Sequence, residues 1–337
     1  MKRNILLLFT FFACITVQGQ TPVRLVDLRS EHLDRPIGLD NPVPRLSWRM
    51  EDGRQGAVQT SWRIVVDEDS LNVVNGCGRM WDSGKNDSRN QLVAYAGKKL
   101  QPFTRYYWKV ICSDMEYKET ASPVSYFETG MMGMQHWQGA WIGDGKDIHY
   151  GPAPYFRKEF KTGKKVKSAR AYIAAAGLYE LYINGEKIGD HCLAPLYTRF
   201  DRRNLYVAYD VTSQLQNGDN AIGVLLGNGW YNHQSTAVWF FDKASWRNRP
   251  KFTAQLHLRY TDGTSTVPLG ATVPLSVWTC ALPTPMEAWR LFPPISVGGQ
   301  RRVQSLLIVS ILASTTMHVW SRKDGALRNS MIPSGAE

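Results

Sequence analysis

The chain has 337 residues, with 40 Lys and Arg against 29 Asp and Glu for a formal charge of +11, and 43% hydrophobic and 12% aromatic residues. That length accommodates two ordinary domains with hydrophobic cores of their own, so the staples a small protein needs are not required. The basic groups cluster at Lys161, Lys164, Lys165 and Lys167 and again at Arg199, Arg202 and Arg203, among strand-like segments with no recognition helix. This distribution argues for a solvated surface and against nucleic acid as a partner.

Lys2 and Arg3 open the chain, an apolar run from Ile5 to Val17 follows, and Gln18, Gly19 and Gln20 end it. The layout predicts a signal peptide over residues 1–19 and therefore an exported protein, periplasmic or extracellular. The formal charge falls to +9 once Lys2 and Arg3 leave. An anchor is the rival reading, but the run is short for a span, and no membrane span is expected after cleavage. Cys14, behind Phe11, Phe12 and Ala13, makes a poor lipoprotein site. Cys77, Cys112, Cys192 and Cys280 are widely spaced without a Cys-x-x-Cys pair, which points to neither zinc nor a disulfide framework. Cys112 lies near Trp108 and Val110 in a strand-like run and reads as a buried free thiol.

Residues 22–130 read as short strands separated by turns, the spacing of a β-sandwich. Pro42, Pro44 and Arg45 lead into a strand through Trp48. Trp62, Ile64 and Val66 alternate with Arg63, Val65 and Asp67 in a half-buried pattern. Tyr106, Tyr107, Trp108 and Val110 follow with aromatic and β-branched residues suited to a pleated surface, and no long amphipathic helix intervenes. A linker with Gly130, Gly133 and Met131, Met132 and Met134 then leads to Trp137 and Trp141.

A second module is expected over residues 137–267, with its first strand at Tyr155–Phe160. Leu178–Ile183 runs into Asn184 and Gly185, and Asn-Gly between alternating strands is a strong hairpin signal. A strand at Leu205–Asp210, a turn at Asn217–Asn220 and a buried-type run at Ala221–Leu226 complete a jelly-roll succession. The predicted fold class is all-β: two β-sandwich domains, the first like fibronectin III or immunoglobulin, the second a jelly roll, with an irregular C-terminal tail.

The pieces NPVPRLSW at Asn41–Trp48, WDSGK at Trp81–Lys85, LQPFTRYYWKV at Leu100–Val110 and FETG at Phe127–Gly130 resemble the sandwich that opens many bacterial α-L-rhamnosidases. The resemblance sharpens in GLYELYINGEKIGD at Gly177–Asp190, APLYT at Ala194–Thr198, YDVTSQL at Tyr209–Leu215 and GNGWY at Gly227–Tyr231. Together these are similar to the N-terminal jelly-roll domain of that family. The resemblance implies an inverting glycoside hydrolase whose acid and base are carried by an (α/α)6 barrel, and that barrel is not found in this sequence.

Beyond Val267 the text changes character. Acidic residues become scarce, Pro283, Pro285, Pro293 and Pro294 crowd in against central strands, and Ser305–Thr316 is apolar over a dozen positions, suited to a buried or aggregating segment. The composition of residues 268–337 favours a reading-frame shift near residue 267 over a divergent domain. The second sandwich would then lack its last strands and expose an unpaired sheet edge.

Glycoside hydrolysis uses two carboxylic groups flanking the bond. Asp144, Asp147, Asp201, Asp210 and Asp219 show no spacing that pairs them, so no catalytic residue is expected in the β region. His191 and His233 lack metal-ligand companions and read as ordinary loop residues, Gly227 and Gly229 make no dinucleotide fingerprint, and no metal site is predicted. Sugar sites combine an aromatic platform with fixed amide or carboxylate partners. Asn228, Trp230 and Tyr231 with Thr198 and Asp201 are the candidate sugar-binding residues, for a rhamnose-containing glycan or glycoside. No cofactor is required; the resemblance implies calcium at the sugar site, held by amide and carboxylate oxygens such as those of Asn228 and Asp201. The structural alternative is that Gly227 and Gly229 permit a tight bend and Trp230 fills the core. Two functions stay open: the non-catalytic N-terminal portion of an exported α-L-rhamnosidase, or a free-standing carbohydrate-binding or adhesion protein.

Overall fold

A computed structural model describes residues 22–234, 236 and 239–269, together with the strand segments 279–281, 319–323 and 326–330. The chain divides into two units, Met1–Met132 and Gly133–Glu337. The predicted signal peptide lies outside the described residues. Among the described residues no helix is long and apolar enough to cross a membrane.

The first unit is built from β1 (Arg24–Ser30), β2 (Ile37–Leu39), β3 (Arg45–Glu51), β4 (Ser61–Asp67), α1 (Ser70–Val74), β5 (Trp81–Asp82), β6 (Leu92–Ala94), β7 (Arg105–Ser113), β8 (Glu119–Ala121) and β9 (Ser125–Thr129). One sheet runs β1-β3-β6; the other runs β2-β9-β7-β4-β5, with β8 also paired to β7. Alternate residues of a strand share a face, and the inward set Trp48, Trp62, Ile64, Val66, Tyr106, Trp108, Val110 and Phe127 forms the core between the sheets. Cys112 joins that core as a free thiol. The half-buried pattern expected for β4 is corrected on its other face, where Val65 and Asp67 are also buried. The cause is α1, which packs on β4 and β7 and whose Val74 carbonyl accepts a hydrogen bond from Lys109 Nζ at 2.8 Å.

The second unit contains β10 (Tyr155–Thr162), β11 (Val166–Ala176), β12 (Leu178–Ile183), β13 (Glu186–Lys187), β14 (Tyr206–Asp210), β15 (Gly218–Gly227), β16 (Lys251–Tyr260), β17 (Ser265–Leu269) and β18 (Thr279–Ala281). Its sheets run β13-β12-β15-β10-β18 and β14-β11-β16-β17. Phe156, Leu181, Ile183 and Val224 from the first sheet meet Ile173, Phe252, Leu256 and Leu258 from the second, and the Phe156 and Phe252 rings approach to 5.1 Å. Asn184 and Gly185 take φ of 51° and 85° between β12 and β13, the left-handed pair that a two-residue hairpin turn requires. The expected turn at Asn217–Asn220 is shorter than predicted: β15 already begins at Gly218, because Gly218 pairs with Thr162 across to β10.

Val267 lies inside β17, which pairs with β16 as far as Leu269, so the sheet runs past the change in composition. Within the tail, expected to be irregular, β18 pairs antiparallel with Tyr155–Arg157, and β19 (Val319–Lys323) pairs with β20 (Ala326–Ser330). The apolar stretch Ser305–Thr316 lies outside the described residues. Among the described residues, no strand pairs with Lys158–Thr162 on the β18 side of β10.

Candidate functional site

Strand register brings three loops to one end of the second sandwich. Tyr155 opposes Leu225, Leu178 opposes Gly227, Ala174 opposes Tyr206 and Ala176 opposes Lys251. The start of β10, the end of β11 and the starts of β12, β14 and β16 therefore share that end with the end of β15. The segment after β13 runs back along β12, with Ile188 N–H donating to the Leu181 carbonyl and Tyr179 N–H to that of Ala194, and so delivers Ala194–Asn204 to the same place. Residues 228–234, 239–250 and 144–154 complete the cluster.

Local chemistry sets the 228–232 bend. Gly229 has φ +49°, and a Cβ there would lie 2.8 Å from Leu178 Cγ, so glycine is needed both for its conformation and for the close approach. Asn232 N–H donates to the Asn228 carbonyl at 3.2 Å, closing one turn. The turn separates two neighbouring aromatics. Tyr231 is 5% exposed and packs its ring 5.2 Å from Phe200, whereas Trp230 is 42% exposed. The expectation that Trp230 fills the core is thus corrected: Tyr231 does so, and Trp230 stands at the surface.

Around Trp230 the loops assemble an aromatic rim. Its ring lies 6.5 Å from Tyr197, 5.2 Å from Phe241, 6.3 Å from Trp239 and, nearly parallel at 15°, 5.2 Å from His233. These separations lie within the range of favourable ring pairs. Tyr197, Trp239 and Phe240 are exposed, while Phe241 is buried and forms the base. His233 is therefore a member of the cluster and not an ordinary loop residue. Asn232 is buried beneath the rim; its Nδ2 donates to the Ile148 carbonyl at 2.9 Å and to Asn228 Oδ1 at 3.1 Å, and its Oδ1 accepts from Arg247 Nε at 3.2 Å. Asp242 Oδ1, Trp246 Nε1 and Asn204 Oδ1 are buried and make no hydrogen bond among the described residues, which leaves polar capacity beside the aromatic base.

Of the five residues proposed from sequence, Trp230, Tyr231 and Asn228 lie in this bend, and the other two serve their own loop. Thr198 Oγ1 donates to the Arg203 carbonyl at 2.5 Å. Asp201 accepts from Arg199 Nε at 2.9 Å and Nη2 at 3.1 Å. Sequence reasoning passed over Trp239, Phe240, Phe241, Trp246 and Arg247. The signal for them was the aromatic density of a segment between two strands.

Calcium takes six to eight oxygen ligands. Asp201 already has a guanidinium as its counter-ion, Asn228 Oδ1 already accepts from Asn232, and among the described residues no group of three or more His, Cys, Asp and Glu converges. These residues do not fit a calcium ion. Each of the other aspartates has its own partner: Asp144 is bound to Arg249, Asp210 to Arg170 and Asp219 to Lys161, while Asp147 accepts from the His149 backbone.

Residues 25–133 match the Rha78A-like N-terminal immunoglobulin domain, and residues 164–272 match the α-L-rhamnosidase N-terminal domain. An α-L-rhamnosidase of Formosa agariphila is 32% identical over 291 residues, which cover 77% of this chain and 30% of that protein. One from Alteromonas sp. is 29% identical over 68% of this chain and 26% of its own length. The structure of an α-L-rhamnosidase from Dictyoglumus thermophilum superposes with a TM-score of 0.67 at 36% identity, covering 73% of this chain and 29% of that one. The Streptomyces avermitilis α-L-rhamnosidase, solved with L-rhamnose, shares the fold at a TM-score of 0.66 and 22% identity, covering 77% of this chain and 41% of that one. The chain thus spans about 30% of the length of the first of these relatives, and the matched region is their N-terminal, non-catalytic portion. Its two sandwiches are the N-terminal immunoglobulin domain and the N-terminal domain of the α-L-rhamnosidase family, to which this chain belongs.

Proposed function

We propose that the exported chain serves α-L-rhamnoside hydrolysis as a substrate-holding element, binding a rhamnose-containing glycan at the aromatic rim of its second sandwich. The observation that carries this reading is the exposed set Tyr197, Trp230, Trp239 and Phe240 above a fixed base of Phe241, Asn232 and Arg247. A sugar ring lays its apolar C–H face on such a platform and offers its hydroxyls to amide and guanidinium groups at the margin. The acid and base of hydrolysis belong elsewhere in the enzyme, since the aspartates near this rim are committed to basic side chains or to backbone.

Isothermal titration of the chain with L-rhamnose, with and without calcium, tests the proposal. Binding at millimolar sugar, unaffected by calcium and lost in Trp230→Ala with an unchanged melting temperature, is the expected result. No heat at that concentration under either condition removes the sugar-binding claim.

A further inference from the structure

A cleft of about 570 Å³ opens in the first unit between β1, with Asp34 and Arg35 beside it, and residues 120, 121 and 123–125. That volume lies within the ordinary range of small-ligand sites. Among the described residues no aromatic ring lines it, and its charged groups are Arg24, Arg29 and Arg35 with Asp27 and Asp34.

The backbone of this wall is bent in a way that presents arginine. Leu25 belongs to the core, and strict alternation would send Asp27 and Arg29 to the same side. One extra residue in β1, between the Val26–Arg49 and Arg29–Ser47 pairs, breaks that alternation. Leu28 then packs against the core, and Arg29, like Arg24, is exposed. Asp27, Glu31, His32 and Arg35 also take φ of 51°, 51°, 64° and 42°. The left-handed region is uncommon for residues other than glycine, and such conformations gather at ligand clamps and other functional segments.

The three guanidinium groups have little carboxylate to answer them. Asp27 is bound to Arg49 at 3.1 Å, and Asp34 reaches Arg35 only at 4.0 Å. Arg29 Nη1 donates to the His32 carbonyl at 3.3 Å, and among the described residues neither Arg24 nor Arg29 has an ion-pair partner. A guanidinium presents a fixed fork of donors that matches the paired oxygens of an oxyanion. The lining then selects among anions. A nucleotide base finds no ring to stack on, and the bulge at Asp27 and Leu28 spoils the even ladder that an added peptide strand needs. A sugar needs hydroxyl partners, and Thr120 and Ser125 line the opposite wall.

We propose that this cleft binds the acidic part of a saccharide, a uronic carboxylate or a sugar sulfate, with Arg24 and Arg29 as its anion partners. The site belongs to the first unit and is independent of the aromatic rim.

Isothermal titration and amide hydrogen exchange on the full chain test this with D-glucuronate and glucose sulfate, D-glucose being the neutral control. Both acidic sugars are expected to bind at least about tenfold more tightly than glucose, to protect amides in 23–35 and 120–125, and to lose that advantage in the double variant Arg24→Gln, Arg29→Gln at an unchanged melting temperature. Trp230→Ala should bind them as wild type does, which separates this site from the rim. Equal affinity for glucose and glucuronate, or protection confined to other segments, overturns the proposal. So does a double variant that keeps wild-type affinity. Sodium sulfate binding as tightly as the sugars would make the cleft a site for any small anion, and penta-glutamate doing so would make it a peptide site; either result overturns the saccharide assignment. The wild-type protection map decides the matter even if the double variant loses its cooperative melt.

Discussion

Replacing Arg249 with methionine is expected to destabilise the second sandwich by about 3–5 kcal/mol, the cost of stranding one member of a buried ion pair. The side chains of Arg249 and Asp144 are 6% and 0% exposed. Nε lies 3.1 Å from both Asp144 oxygens and Nη2 lies 2.6 Å from Oδ2. The same guanidinium donates to the Tyr150 carbonyl at 2.5 Å and the Pro152 carbonyl at 2.7 Å, and it sits 5.3 Å over the Tyr150 ring. In the variant Asp144 keeps the Lys146 backbone N–H at 3.1 Å but loses its counter-ion, and two carbonyls lose their donors. Burial pushes the Asp144 carboxyl up, and the Arg249 hydrogen bonds, the Lys146 backbone N–H and the Arg249 charge together more than reverse this, so its pKa lies below the usual value. The pair's stabilisation is therefore present above the ordinary carboxylate pKa and fades as pH falls through the lowered one. Urea unfolding followed by a signal from the second unit measures the loss as a shift in midpoint at constant slope. Adding Asp144→Asn should recover part of it, giving a double variant more stable than the sum of the singles predicts. A single variant within about 1 kcal/mol of wild type, below the range for a broken buried pair, or strict additivity in the cycle, would refute the reasoning.

Two further outcomes follow from the first unit. Hydrogen bonds from Arg45 hold the Glu31 carboxyl at about 2, down from 4.5; its contribution is full above about pH 4.5 and is lost as pH falls toward 2. Arg45→Gln should therefore flatten the pH dependence of the first unit's stability in that window, as read by thermal melts from pH 2 to 5. Burial pushes the Cys112 thiol up to about 12, whereas Cys77 and Cys192 are exposed. Alkylation of the folded chain followed by peptide mass mapping should modify those two and spare Cys112 until denaturant is added; equal labelling of all three would contradict the burial.

Much of the fold was legible because local rules and the core agree. Asn184-Gly185 marks a hairpin by backbone conformation alone, and the Asn184 amide then ties the turn to the Gln214 carbonyl at 2.8 Å. The alternations in β4 and β7 announce an inner face that the structure fills. What escaped were effects of distant contact: the burial of Val65 and Asp67 depends on a five-residue helix, too short to leave a periodic signature. The site was half legible for a similar reason. Gly229, Trp230 and Tyr231 stand in one motif, but which ring faces water is decided by the bend and by Phe200, thirty-one residues upstream of Tyr231. Trp239, Phe240 and Phe241 belong to a loop without regular strand structure, and only the register of β11, β15 and β16 brings them to Tyr197.

Several arginines of the chain have a structural task in the same loops. A charge of +11 invites a polyanionic partner, yet three arginines at the sandwich end, Arg199, Arg247 and Arg249, are occupied in holding loops. Arg247 joins Asn232 to the Asp242 carbonyl at 3.2 and 3.3 Å, Arg249 joins Asp144 to two carbonyls of the 144–152 loop, and Arg199 closes on Asp201. Planar guanidinium groups with several fixed donors suit this work, because one side chain can satisfy carbonyls and carboxylates from segments remote in sequence. Loops lacking a ladder of their own have many carbonyls to satisfy. The consequence for recognition is that the rim is presented by a pre-organised base, with Asn232 locked on both sides of its amide. A neutral ligand that stacks on rings and hydrogen-bonds at its edge gains from that order, whereas an anion finds these arginines already engaged. Arg199, Arg247 and Arg249 thus act as loop anchors around the aromatic platform on which the proposed sugar would stack.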